Sequence, residues 1–174
     1  MFIVNRTFVV HFFYFCVRFF KRDMISHRNS GCFGGFICTD KYNLNVCEAL
    51  RYTGKSVEDI LYEEQRKIIL KIAEEESCVI IGRNADFILK DRDDVLNVFI
   101  HGNMPEKIQR ISRLYNVSDQ EAAKLIADTD KRRMTNYNFY TEQKWGKASN
   151  YTLCLNSSQL GYDRCEAVIM ECAK

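Results

Sequence analysis

The residues of this chain best suited to chemistry are cations placed where an anion could meet them. Arg83 directly follows Gly82, at the end of the apolar run Cys78-Val79-Ile80-Ile81. A glycine there lets backbone or ligand approach closely, and a planar guanidinium beside it can grip a phosphate bidentately. An ion pair with Asp86 or Asp91 is the plainer alternative. A second cluster is Asp128-Thr129-Asp130-Lys131-Arg132-Arg133, followed by Tyr137, Tyr140, Lys144 and Trp145. Three consecutive cations fan round a helix, so one or two of them can face a single ligand. Basic residues interleaved with aromatics also suit a single-stranded RNA surface. The bland reading is a solvated helix end whose cations complement the dipole.

Two glycine-containing segments invite a phosphate-loop reading, and neither satisfies it. Ser30-Gly31-Cys32-Phe33-Gly34-Gly35 lacks the Lys and hydroxyl that must follow the second glycine of GxxxxGK[ST]. Thr53-Gly54-Lys55-Ser56 contains GKS, but Ala49 stands where the first glycine is required and no apolar strand precedes it. Ser56 followed by Asp59 reads instead as a helix N-cap with an acidic first turn.

The eight cysteines, at positions 16, 32, 38, 47, 78, 154, 165 and 172, form no C-x-x-C and do not pair with His at zinc-ligand spacing. No metal site is expected from them. Cys78 and Cys154 lie inside apolar runs, where a thiol behaves as a small hydrophobe. With no credible secretion signal, they read as reduced thiols of a cytoplasmic protein.

These residues are carried on a chain of 174 residues with net charge +2, a balance too weak to imply nucleic acid as a partner. The average hides two unlike parts. Through Leu50 there are six Lys/Arg against three Asp/Glu, and seven of the twelve Phe fall in the first twenty residues. Residues 1–50 are therefore an atypical hydrophobic head, and residues 51–174 the body. Within the head, Thr7 to Val17 is apolar apart from Thr7 and His11. Eleven residues are too few to span a bilayer as a helix, which takes about 20. A buried strand rich in Phe, Val and Tyr or a disordered leader, a membrane-surface anchor, and a stretch unrelated to the domain are the readings that remain, with strand or leader favoured over membrane association.

The body is regular. Val57 to Glu74 repeats apolar residues at helical spacing. Cys78–Ile81 reads as a buried strand, Ala85–Leu89 as a short helix and Val95–Ile100 as a second strand. Pro105 marks a helix start, with Ile108, Ile111 and Leu114 on one face. Ser118 and Glu121 form a capping box for a helix whose apolar face is Ala122, Leu125 and Ile126. Tyr151–Leu155 reads as a third strand and Asp163–Cys172 as a closing helix. Strands alternating with helices define an α/β protein with a parallel sheet flanked by helices. In such sheets ligands bind at the carboxyl ends of the strands, here Gly82-Arg83-Asn84, His101-Gly102-Asn103 and Asn156-Ser157-Ser158.

The runs CVIIGRNADFIL, VFIHGNMPEKIQRI, DKRRMTNYNFYTEQKWG and NYTLCLNSS resemble, in order and spacing, the cytidylate kinase-like family of P-loop kinases over roughly residues 56–172. The resemblance implies a P-loop nucleotide kinase-like fold. The chemistry it implies is transfer of the γ-phosphoryl group of ATP, with Mg²⁺, to a nucleoside monophosphate such as CMP. It implies that Arg83 holds the acceptor phosphate, and that Arg133 and Arg132 are catalytic residues of a lid closing over the transferred group. Lys107 and Arg110 match basic substrate-binding positions, and Asn156 and Ser158 would border the base. The departure from the family pattern is at the beginning: nothing before Arg51 supplies a strand followed by a glycine-rich ATP loop. In nucleoside monophosphate kinases that strand is central, between the counterparts of Cys78–Ile81 and Val95–Ile100. The sheet is thus expected to be incomplete at the N-terminus, a truncated form of the fold, unless Phe8–Phe15 fills the gap as a substitute strand. Weak ATP binding and little turnover are expected. The rival readings are a non-catalytic nucleotide- or phosphate-binding module and a remnant that does not fold alone.

Overall fold

The structure, a computed structural model, describes residues 7–12 as backbone, together with residues 56–75 and 77–173. Four strands, β1 (Thr7–Phe12), β2 (Val79–Ile81), β3 (Val95–His101) and β4 (Leu153–Asn156), form one sheet in the spatial order β2-β1-β3-β4. All three pairings are parallel. Strand β1 lies between β2 and β3, with Phe8 level with Val79 on one side and Leu96 on the other. The stretch expected to substitute for a central strand does so over Thr7–Phe12, while Phe13–Phe15 lie outside the described residues. An inner strand of a parallel sheet is covered on both faces, which is why it reads as a nearly unbroken apolar run. Its pairing removes two unpaired inner edges, and residues 7–12 are built into the sheet rather than laid on a membrane surface.

Helix α1 (Val57–Glu75) starts at Ser56, whose Oγ accepts from the Asp59 N–H at 3.1 Å. The serine of GKS is therefore a helix cap; Gly54 and Lys55 lie outside the described residues, as do Ser30–Gly35 and Cys16, Cys32, Cys38 and Cys47. Helix α1 and the short helix α2 (Ala85–Ile88) cover one part of the sheet, burying Ile69, Ala73, Ile80, Ile88 and Leu89 together. Helices α3 (Met104–Tyr115) and α4 (Asp119–Thr141) pack on each other through Ile111, Ala122 and Ile126. Beyond β4, α5 (Ser157–Leu160) leads to α6 (Tyr162–Cys172), whose Cys165 and Ile169 pack on Leu96, Val98, Ile100 and Leu155. Leu96, Val98 and Ile100 share one face of β3 because strand side chains alternate. Among the described residues no helix is long and apolar enough to cross a membrane.

The structure corrects four details. Leu114 and Leu125, expected on apolar faces, are 60% and 42% exposed. Leu125 sits about 100° round the helix from Ile126, off the buried stripe. At the end of α3 the chain reverses at Asn116 (φ 52°), and Val117 takes the place at the cluster that Leu114 was expected to fill. Strand β4 begins at Leu153, after a 3₁₀ turn at Ala148–Asn150, and Tyr151 stacks on Phe99 at 4.8 Å instead of pairing in the sheet. Cys78 is buried as expected, but Cys154 is exposed, because β4 is an edge strand and Leu155 takes its covered face.

Candidate functional site

Strand β2 ends in a left-handed arch. Gly82, Arg83 and Asn84 have φ of 67°, 58° and 55° in succession. Glycine adopts this region without penalty and Asn tolerates it, but Arg83 is held there at a cost on the order of 1 kcal/mol. Backbone strain of this kind persists where the surroundings fix it, and it clusters at ligand sites. The arch leaves the Arg83 side chain exposed and buries Asn84. Among the described residues Arg83 forms no ion pair with Asp86 or Asp91, the alternative open from sequence. Asp86 is buried and accepts the Tyr137 hydroxyl at 2.7 Å.

Helix α4 is fixed at two places along its length. At Asp130, Oδ2 meets Lys107 Nζ of α3 at 3.4 Å, and Oδ1 meets Arg133 Nη1 at 3.4 Å. Six residues on, Asn136 Oδ1 accepts from Asn84 Nδ2 at 3.2 Å, and the adjacent Tyr137 bonds Asp86. Six residues of helix rise about 9 Å. Strands β2 and β3 are separated by β1, so their axes lie about 9.6 Å apart. The helix thus bridges from the end of β3, where Lys107 approaches Gly102, to the end of β2. Arg133 is three residues from each fixed point, nearly one helical turn from either. The chain runs from β1 to β2 on one side and then to β3 on the other. That reversal creates the crevice where open α/β sheets bind ligands.

The ion pairs at Asp130 are longer than the about 2.7–2.9 Å of a tight charge-assisted bond, and they gather Lys107 and Arg133 at one carboxylate. Burial pushes the Asp130 carboxyl up, against the pull of both cations. Arg132, the next residue, turns aside and bonds Thr129 Oγ1 of its own helix at 3.3 Å. Arg110 Nη1 reaches Tyr162 Oη at 3.5 Å, toward the start of α6.

At the ends of β3 and β4 the polar groups are joined to one another. Ser158 Oγ accepts from the Asn103 N–H at 2.9 Å, Asn156 Nδ2 donates to Asn103 Oδ1 at 3.2 Å, and Ser157 Oγ donates to the His101 carbonyl at 2.9 Å. A Cβ at Gly102 would lie 3.1 Å from Ser158 Oγ, a tight contact. Asn156 and Ser158 therefore lace two strand ends together.

Of the residues singled out in the sequence, the structure gathers Lys107 and Arg133 around Asp130 and places Arg83 on the arch to which α4 is tied. Arg132 and Arg110 point elsewhere. The aromatics that suggested an RNA surface are used internally. Tyr140 stacks on Tyr62 at 4.0 Å and bonds Asp59, and Trp145 packs edge-on against Phe99 at 5.9 Å. Sequence reasoning named Asn84, Asp130 and Tyr137 within their segments without giving them a role, and missed Asn136. Only Asn84 carried a local signal, an Asn following Gly-Arg at a strand end, suited to a left-handed turn.

A family model described as "Cytidylate kinase-like family" matches residues 19–159. The chain is also similar to the crystal structure of an uncharacterized protein from Eubacterium ventriosum, with 32% sequence identity and a TM-score of 0.64, over 67% of this chain and 73% of that one. No curated protein matches the chain.

Proposed function

Because the chain belongs to the cytidylate kinase-like family, we propose that it binds the phosphate of a nucleoside monophosphate at the carboxyl end of its sheet, between Arg83, Lys107 and Arg133. One observation carries this reading: α4 carries Arg133 midway in sequence between its two fixed points, with Arg83 on a left-handed arch at one of them. Two guanidiniums and an ammonium supply the positive charge that a phosphate dianion would meet. The same family membership and the parallel sheet support a P-loop kinase-like fold.

The family chemistry is transfer of a phosphoryl group from ATP to the acceptor. In such a reaction Arg83 would orient the acceptor phosphate, while Arg133 would lie against charge developing on the transferred group. Among the described residues no group of three or more His, Cys, Asp or Glu could hold a metal ion. Asp130, inside the cationic cluster, is already engaged by Lys107 and Arg133. Mg²⁺ therefore has no fitting protein site there and would be carried by the nucleotide's own phosphates and water. Neither glycine segment matches GxxxxGK[ST], so turnover is expected far below the about 1–100 s⁻¹ of ordinary kinases. The same observation favours the second reading, a nucleotide-binding module without catalysis.

Calorimetric titration with CMP tests the proposal. Arg83→Ala should weaken binding by about 10-fold or more, the scale of a lost charge-assisted hydrogen bond. Equal affinity in the variant, or no binding by the unaltered chain, contradicts the assignment.

A further inference from the structure

We infer that the side-chain hydrogen bond between Asn84 and Asn136 sets the spacing of Arg83 and Arg133, making both asparagines positioning residues for the acceptor phosphate. The inference rests on the phosphate reading above and adds to it the device that holds the two guanidiniums in register.

Asn84 and Asn136 are 52 residues apart in sequence, and the contact joins the strained arch to the helix carrying Arg133. Asn84 is 6% exposed, so its amide is taken out of water, and the partner that meets its Nδ2 is an otherwise exposed residue of α4. On the arch, Asn84 is the immediate neighbour of Arg83, and both share the left-handed conformation. On the helix, Asn136 stands one turn beyond Arg133, on the face that also carries Asp130. Any slide or roll of α4 relative to β2 would therefore change the separation of the guanidiniums and break this bond together. Tyr137 and Asp86, beside it, bear the buried packing load through a 2.7 Å bond between α4 and α2. The amide pair is thus left with a finer task, orientation at the arch itself.

The test uses the full chain and CMP. Four variants are compared: Asn136→Leu, which removes the acceptor; Asn136→Gln, which keeps an amide oxygen; Asn84→Gly, which keeps the left-handed backbone; and Asn136→Leu combined with Arg83→Ala. Dissociation constants are measured by calorimetry, and ligand-free melting is measured in parallel. Asn136→Leu and Asn84→Gly should each weaken CMP binding about five- to ten-fold, the scale of one hydrogen bond, and Asn136→Leu should also melt lower than the unaltered chain, because it leaves the buried Asn84 amide unpaired, while remaining folded. Asn136→Gln should recover most of the affinity. In the Arg83→Ala background, Asn136→Leu should have little further effect, because there is no second guanidinium left to align. Undiminished affinity in Asn136→Leu, or a full additional loss in the Arg83→Ala background, overturns the positioning role while leaving the phosphate site standing. Failure of the unaltered chain to bind CMP overturns both.

Discussion

Arg132 and Arg133 are adjacent in sequence but about 100° apart on the helix, and that angle separates their roles. Arg133 faces Asp130 and the crevice, whereas Arg132 returns to Thr129. Arg133→Ala should therefore weaken CMP binding about 10-fold or more, and Arg132→Ala by less than about twofold; equal losses on titration would show that both cations reach the ligand. The tyrosines packed under α4 carry a second expectation. Burial raises Tyr151 to about 12, and burial with the Asp59 hydrogen bond raises Tyr140 to about 12, from 10.0. Burial, reinforced by the neighbouring Asp86, pushes Tyr137 up as well. Between about pH 10 and 12 the unfolded chain loses these protons while the folded chain keeps them, so stability falls as pH rises through that window and is complete below pH 10. Melting temperature followed across the range should drop, and Tyr140→Phe should shallow the slope. A flat profile would mean these hydroxyls are solvated in the native state.

Among the elements, those legible in the sequence owe their form to local chemistry. The capping box at Ser118 and Glu121, the Ser56 cap, and the apolar runs of β2 and β3 all lie where spacing places them. What spacing does not carry is which helix crosses which strand. Asp130, Asn136 and Tyr137 look like ordinary polar and aromatic positions until α4 is laid across the ends of β3 and β2. Leu114 and Leu125 fit an apolar face by period alone, yet only the stripe that meets a partner helix is buried. The central strand belongs to this scale too. Thr7–Phe12 was recognisable as β-prone, but its place between β2 and β3 is a tertiary fact. Amide hydrogens of Val9, Val10 and His11 should exchange at rates close to those of Val98 and Phe99, since these residues pair in one ladder. Exchange at unstructured-chain rates in the head, with β3 protected, would remove β1 from the sheet.

At the scale of the whole molecule, the order β2-β1-β3-β4 sets a topological switch point at the carboxyl end of the sheet, and Lys107 and Arg133 meet at Asp130. Arg83 beside Gly82 pointed to this end of the sheet from sequence alone, because a strand end with a glycine and a guanidinium has few local uses. Arg133 lies on α4, about 50 residues later, and the resemblance rather than local spacing linked it to that end. An acceptor site is the central claim, and neither glycine segment matches a donor phosphate loop. Thermal unfolding of the full chain, alone and with CMP, Mg·ATP or both, tests this most directly, since only ligands bound by the native state raise its melting temperature. A cooperative transition that moves upward with CMP and stays in place with Mg·ATP is the expected result. A shift with Mg·ATP alone, or none with CMP, would contradict it.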